Sequence, residues 1–429
     1  MSEIKLDNER LDALQEVTHQ YYIHEININN GLVADKTEPG TPASIAATGM
    51  ALATVPIHVE RDPAQREMWA EHIRARLRFF WQSPQGTEPD ATGYKGFYYH
   101  FLDMQTGRRA WDCELSTVDS AFLLAGILTA GWYFDRDSEV EREIRTLAEA
   151  LYRRADWRWA QNGRATVTHG WKPETGFLPY RYEGYDEALL LYVLGLGSPT
   201  YSLPEESYAA WASSYEWKSV YGYEYLYSGP LFTHQLSHLW LDLRGIQDAF
   251  MRDHGIDYFE NTRRATYVHQ QYAIRNPLQF EGYNDRCWGI TASNGPGWVT
   301  RRIKGVQRQF FDYVARGAPY GPDDGTIAPW VVVASLPFAP EIVAPTIEQF
   351  SQMDLGMLEP YGFKSTFNLT FEAGGNCRCW VSPWHFGIDQ GPIILMIENY
   401  RTGLLWNVMR RCPYIVSGLR RAGFRGGWL

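Results

Sequence analysis

Apolar and polar positions along the chain sort its helical stretches into two kinds that alternate. One kind is apolar or small on every side and follows a polar, turn-rich segment. The other carries one apolar face among Arg and Glu. "SIAATGMALATV" (44–55) precedes "QREMWAEHIRARLRFFWQ" (65–82), and "STVDSAFLLAGILTAGWYF" (116–134) precedes "SEVEREIRTLAEALYRRADWRWA" (138–160). "DEALLLYVLGL" (186–196) precedes "PEESYAAWASSYEW" (204–217), and "FTHQLSHLWLDLRGI" (232–246) precedes "IDYFENTRRATYVHQQYAI" (256–274). "TIAPWVVVAS" (326–335) precedes "APEIVAPTIEQFSQM" (339–353), and "GPIILMIENYRTG" (391–403) precedes "LLWNVMRRCPYIVSGLRRAGF" (404–424). A helix that is apolar all round must be covered on every side, whereas a one-faced helix can cover it and meet water. Six inner helices ringed by six outer ones predict an all-α (α/α)6 toroid barrel. It would be one domain over 1–429, with 1–30 as an N-terminal helical extension. An open α-solenoid is the other arrangement of helix pairs, but no repeated sequence recurs from pair to pair. The stretch from about 276 to 325 reads as loops, with "NGPG" and "GAPYGPDDG" as turns. A short β-hairpin is expected near 365–380.

Composition narrows the function. Of 429 residues, 45% are apolar and 15% aromatic, including 17 Trp and 27 Tyr. Most such rings pack a core, but flat faces with a polar handle also suit a cleft that stacks on sugars. A net charge of −10 argues against nucleic acid, which needs a basic stripe, and against an anionic membrane surface. The five cysteines (113, 287, 377, 379 and 412) have no scaffold spacing, and Cys377 and Cys379 lack the second pair a zinc site requires. They are expected to be inert thiols. The N-terminus has no basic-then-apolar leader, and no run of 18 apolar residues occurs. The chain as written therefore reads as cytoplasmic; one trimmed of a leader, periplasmic or secreted, would read the same.

Carboxylates gather where the inner helices begin. Asp35 stands ahead of the first pair; Asp112, Glu114 and Asp119 open the second; Glu183, Asp186 and Glu187 open the third. Asp323 and Asp324 precede the fifth, and Asp389 opens the sixth. If the ring closes, these entries share one rim. Capping competes with this reading: "STVD" has the form of a capping box, and first-turn acids gain about 0.3–1 kcal/mol from the helix dipole. Glu187 has no good N-cap residue at the usual offset. Paired carboxylates beside aromatic rings are the equipment of glycoside hydrolysis. No G-x-S-x-G elbow and no P-loop competes with it. "HQLSH" (234–238) lacks the Glu of the zincin signature, so His234 is expected to hydrogen-bond at the cleft and not to hold a metal.

The motifs themselves are familiar. "CELSTVDSAFLLAG", "GYDEALLLYVLGLGSPT", "LFTHQLSHLWLDLRGI", "DYFENTRRAT", "WGITASNGP", "DGTIAPW", "SLPFAPE" and "GIDQGPIILMIENYRTGLLW" follow in that order. Together, over about residues 30–410, they resemble the glucoamylase-like domain proteins that include glycoside hydrolase family 144. The resemblance implies an (α/α)6 barrel acting on β-1,2-glucan or sophoro-oligosaccharides, with inversion and without metal or cofactor. Its glutamate before the third inner helix falls on Glu187, its "ELSTID"-type acids on Glu114 and Asp119, and its "GIDQGP" aspartate on Asp389. "YDEA" stands where Asn is usual before the Glu, "STVDSAF" where Thr and Leu are usual, and Asn294 where Asp often precedes the Gly. Glu187 is expected as general acid, Asp389 as base, and Asp119 as the second choice of base. Asp35, Trp111, Asp112, Glu114, Tyr185, His234, Trp240, Trp288, Asn294 and Trp384 are expected to bind an oligo- or polysaccharide substrate. The rival readings are a transglycosylase or phosphorolytic enzyme on the same linkage, and a glucan-binding protein without turnover.

Overall fold

The computed structural model describes residues 8–353, 360–372 and 379–429. Cys377 and the first seven residues of the expected N-terminal extension lie outside the described residues. Helices dominate. After α1 (Asn8–His24) come α2 (Ile45–Arg61) with α3 (Arg66–Gln82), and α4 (Thr117–Tyr133) with α5 (Glu139–Arg154). The single turn α6 (Trp157–Ala160) leads to α7 (Leu189–Gly197) with α8 (Glu206–Ala212), then α9 (Ala249–His254) and α10 (Tyr258–Arg275). Next are α11 (Pro329–Ala334) with α12 (Pro340–Gln352), α13 (Gly387–Arg401), α14 (Leu404–Arg410) and α15 (Pro413–Arg421). None is long and apolar enough to cross a membrane. The chain forms two compact units.

One unit comprises Tyr22–Tyr215, Ser237–Asp257 and Arg401–Leu429. Its centre is the packing of α4 against α2 and α7. Every residue of α4 is buried but Trp132, and every residue of α7 is buried, as all-round apolarity demands. The helices approach closely because glycines face each other: a Cβ on Gly126 would stand 2.0 Å from the Gly49 carbonyl oxygen. The amphipathic α3 and α5 pack beside them. Helix α5 has Ser138 as N-cap, Glu139 and Glu141 in its first turn and Arg153 and Arg154 in its last, in keeping with the helix dipole.

Short strands, absent from the all-α expectation, set the helix entries. Ala43–Ser44 pairs with Phe101–Leu102, and Leu115–Ser116 lies between Phe97–Tyr99 and Gly170–Lys172 in a five-stranded antiparallel sheet. Each strand ends on a serine that caps the next helix with nearly the same backbone: Ser44 at φ −96°, ψ 128° and Ser116 at φ −96°, ψ 127°. Strand geometry requires the extended conformation an N-cap also wants, so one serine serves both.

The other unit, Met1–Tyr21, Glu216–Leu236 and Tyr258–Tyr400, holds α10 to α13. It also holds the hairpins Trp217–Val220/Tyr223–Leu226 and Val299–Ile303/Val306–Phe310. Phe367–Asn368 pairs antiparallel with Trp380–Val381 and with Thr326–Ile327, where the sequence suggested a hairpin.

The fourth apolar helix, expected over 232–246, is instead two 3-10 turns, Leu231–His234 and Leu236–Leu239. Its carbonyls accept from side chains of other helices. Thr262 donates its hydroxyl to the His234 carbonyl at 2.8 Å, and Trp406 its indole N–H to the His238 carbonyl at 2.7 Å.

Candidate active site

His100 organises the first cluster. It follows the strand Phe97–Tyr99, and its own amide donates to the Glu114 carbonyl at 3.0 Å. The ring is stacked on Phe101 (centroids 4.0 Å apart, 12° between planes) and set between two acids. Nδ1 lies 2.9 Å from Glu114 Oε1, and Nε2 lies 3.7 Å from Asp119 Oδ2. Ser116 is the N-cap the sequence suggested, its hydroxyl oxygen accepting the Asp119 amide at 3.3 Å, and it also donates that hydroxyl to Asp119 Oδ2, so the cap residue holds the acid in place. Burial opposes charge on His100, but Asp119, Glu114 and Asp35 outweigh it and hold its pKa up at about 9. Asp35 is pushed up to about 6 by burial, against the pull of His100 and Lys36. Near neutrality this is an imidazolium bound by carboxylates.

Asp186 and Glu187 form the second cluster, at the entry to α7. Asp186 Oδ1 accepts the Ala188 amide at 3.0 Å and the Trp211 indole N–H at 3.0 Å. Ser237 Oγ accepts the Leu190 amide at 3.1 Å. The Ala188 and Leu190 amides at the entry to α7 are thus served by other groups, and Glu187 caps neither. Among the described residues no other side chain donates to the half-buried Glu187 carboxyl, which accepts its own amide. Burial raises its pKa to about 7, and the charge of Asp119 adds to the rise. Asp186 is raised as well, by burial and by Glu187. Two donors on the Asp186 oxygen favour its charge while Glu187 has only its own amide, so the two acids titrate as a pair whose shared proton these hydrogen bonds bias toward Glu187. Tyr182, buried and stacked on His169 at 4.2 Å, walls this cluster and feels Glu187, Asp119, Asp186 and Glu114 together. A protonated carboxyl beside a second carboxyl can donate a proton to one atom while the other group receives one.

Trp111 is 61% exposed and, with Asp112, adopts left-handed backbone (φ 56° and 47°). Arg109 fixes that turn: it donates to the Asp112 and Cys113 carbonyls at 2.8 and 2.6 Å and pairs with Glu174. Lys172 also donates to the Asp112 carbonyl, at 2.9 Å. Tyr185 packs edge-on against Tyr215 at 5.6 Å, and Glu183 is exposed and accepts the Thr166 hydroxyl at 2.7 Å.

The remaining expected residues lie in other surroundings. Trp240 has no exposed surface and stacks on Phe122 at 5.8 Å, in the same unit as Glu187. In the other unit Trp288 is also fully buried, donating to Thr346 at 2.9 Å, and His234 is 1% exposed. Burial makes these three packing residues and not sugar contacts, a correction to the expectation. In that unit Asn294 donates to Ser382 at 3.1 Å, Trp384 is half-buried, and Asp389 is buried in the first turn of α13. Asp324 forms a fully buried ion pair with Arg316 at 2.8 Å. Asp323 accepts the hydroxyls of Tyr272 and Tyr283, and burial raises its pKa to about 6.

His100, Trp211 and Ser237 were missed from the sequence. A histidine interrupting the aromatic run "GFYYHF" was the one available signal. Among the described residues no group of three or more His, Cys, Asp and Glu could hold a metal ion. Cys113, Cys287 and Cys412 are buried free thiols.

Acids gathered at the entries of apolar helices are the equipment of a carboxylate glycosidase. Residues 179–413 match the model of the putative glucoamylase (Glycoamylase) family. The chain is 31% identical to a putative glucoamylase from Bacteroides uniformis, covering 100% of both chains with a TM-score of 0.86. It is 25% identical to an endo-β-1,2-glucanase from Chitinophaga pinensis, solved with sophorotriose and glucose, covering 98% of this chain and 99% of that one (TM-score 0.85). An exo β-1,2-glucooligosaccharide sophorohydrolase (non-reducing end) from Parabacteroides distasonis is 28% identical over 97% of this chain, which spans 58% of that relative. The protein belongs to the putative glucoamylase family.

Proposed function

We propose that the protein hydrolyses β-1,2-glucan or sophoro-oligosaccharides with inversion, and that its helix pairs close into a single-domain (α/α)6 toroid. The carrying observation is Glu187, a half-buried acid relieved of any capping duty and raised to about pH 7. Glu187 protonates the glycosidic oxygen as the bond to the anomeric carbon breaks. A carboxylate, Asp389 or in second place Asp119, takes a proton from the water that attacks the opposite face. Inversion requires those carboxyl groups to stand about 6.5–9.5 Å apart. Trp111 and Tyr185 offer faces to sugar rings, and Glu114, Asp35 and Asp112 offer hydroxyl acceptors; Asn294 and Trp384 complete the proposed contacts.

The names of the relatives support the linkage, and the placement of acids supports the chemistry. Incubation with β-1,2-glucan tests both. New reducing ends of sophoro-oligosaccharides, appearing first as the α-anomer by proton NMR, are expected. Chain lengths altered without new reducing ends mean transfer, phosphate-dependent release of sugar phosphate means phosphorolysis, and binding without products means a silent module. Asp389→Asn and Asp119→Asn then separate the two candidate bases, since only the base variant should be rescued by a small external anion such as azide.

A further inference from the structure

Helix α3 carries four arginines, and three have acids. Arg66 pairs with Glu141 at 2.8 Å, Arg78 with Glu143 at 2.5 Å, and Arg74 with Glu71. Arg76 has none. It is 7% exposed, and its Nε and Nη1 find no hydrogen-bond partner among the described residues. Burial alone pulls its pKa down to about 10; no carboxylate acts on it. Water could accept its hydrogen bonds but could not neutralise it, and an uncompensated buried charge is costly.

Arg76 lines a cavity of about 140 Å³ with Tyr22, Ile26, Ile28, Gly31 and Trp69. A second buried donor there, Trp69 Nε1, is also without a partner among the described residues. The wall is built to admit the guanidinium. Gly31 has φ +74°, and a Cβ on it would stand 2.3 Å from Arg76 Nε. The loop is pinned by Asn27 and Asn30, which donate to the Met104 carbonyl at 2.7 and 3.0 Å. Ile28, 74% exposed, forms the rim.

We propose that this cavity binds a small carboxylate with a short apolar tail, its two oxygens on Arg76 and Trp69. The planar guanidinium matches a carboxylate fork, and the isoleucine and tyrosine walls favour an alkyl tail over the full hydration shell of phosphate. A cavity of about 150 Å³ takes a benzene-sized body of six heavy atoms, so propionate and butyrate fit.

The test uses the full chain at pH 7, titrated with sodium propionate against sodium chloride at matched ionic strength, following thermal midpoint and calorimetric heat. A saturable rise in midpoint with propionate over chloride is expected. Trp69→Phe, which keeps the ring and removes the donor, should weaken binding about tenfold, and Arg76→Met should abolish it. Binding of propionamide equal to propionate, an equal response to phosphate, no effect beyond chloride, or undiminished binding in Trp69→Phe would each overturn the proposal. The Trp69 variant keeps the test decisive if Arg76→Met does not fold.

Discussion

Replacing Glu187 by Gln should stabilise the fold and silence it as an enzyme, and pH separates the two effects. Burial and the charge of Asp119 lift this carboxyl from 4.5 to about 7. At about 1.36 kcal/mol per pKa unit, that difference is worth about 3 kcal/mol, an upper value because one side of the group still meets solvent. The sign follows from proton binding. Between pH 4.5 and 7 the folded state holds a proton that the unfolded state has released, so stability falls as pH rises through that window. Above pH 7 the folded protein bears the whole cost of a buried charge; below 4.5 it bears none. Gln cannot ionise. Glu187→Gln should therefore match the wild type in urea unfolding at pH 4 and exceed it by up to about 3 kcal/mol at pH 8.5. Turnover of β-1,2-glucan should fall by about 10²–10⁴, the usual contribution of a general acid, while glucan binding persists. A stability difference that is the same at both pH values, or near-full turnover, would refute the assignment.

In the wild type, kcat/KM should decline about tenfold per pH unit above about 7 as Glu187 loses its proton, and a profile flat to pH 9 would contradict that. His100→Gln acts in the opposite pH sense. With its pKa raised from 6.5 to about 9, the imidazolium contributes up to about 3 kcal/mol below pH 6.5, lost as pH rises through 9, so unfolding should show a large deficit at pH 6 and almost none at 9.5. Trp111→Gly relieves a left-handed backbone (φ 56°), so stability should hold or rise while KM for glucan climbs two- to tenfold for a lost ring contact of about 0.5–1.5 kcal/mol; an unchanged KM removes Trp111 from the site. Asp324→Asn strands the fully buried Arg316 and should cost about 3–5 kcal/mol by chemical unfolding, with a near-neutral result showing that the pair is dispensable.

Five of the six helix pairs were legible because all-round apolarity has one cheap solution: α7 is buried throughout, α4 but for Trp132, and α2 but for its last turn. The fourth was not. "FTHQLSHLWLDLRGI" scans as apolar, yet its carbonyls are taken by Thr262 and Trp406, side chains 28 and 168 positions away. The two-residue strands escaped for a similar reason. Ala43–Ser44 and Leu115–Ser116 are too short for a period-2 pattern and exist only because distant strands pair with them. His100 became visible only when that pairing set it between Glu114 and Asp119. Trp240 and Trp288 show the opposite error: tryptophan count suggested a sugar cleft, while the fold spends both on its core.

The acids teach the sharper lesson, because in sequence they are indistinguishable. Asp323 and Asp324 precede an apolar helix just as Asp186 and Glu187 do. What separates them is who answers each carboxylate. Asp324 has a buried guanidinium, Asp323 two tyrosine hydroxyls, Asp186 an indole and an amide, Asp119 a serine hydroxyl and Glu114 an imidazolium. A group so answered is held in place. Glu187 alone of these is met by no other side chain's donor among the described residues, and Ser237 and Asp186 have taken over the amides it would otherwise cap. An acid that the fold buries, frees from structural duty and surrounds with negative charge is destabilising unless it keeps its proton. That combination is the one a proton donor requires.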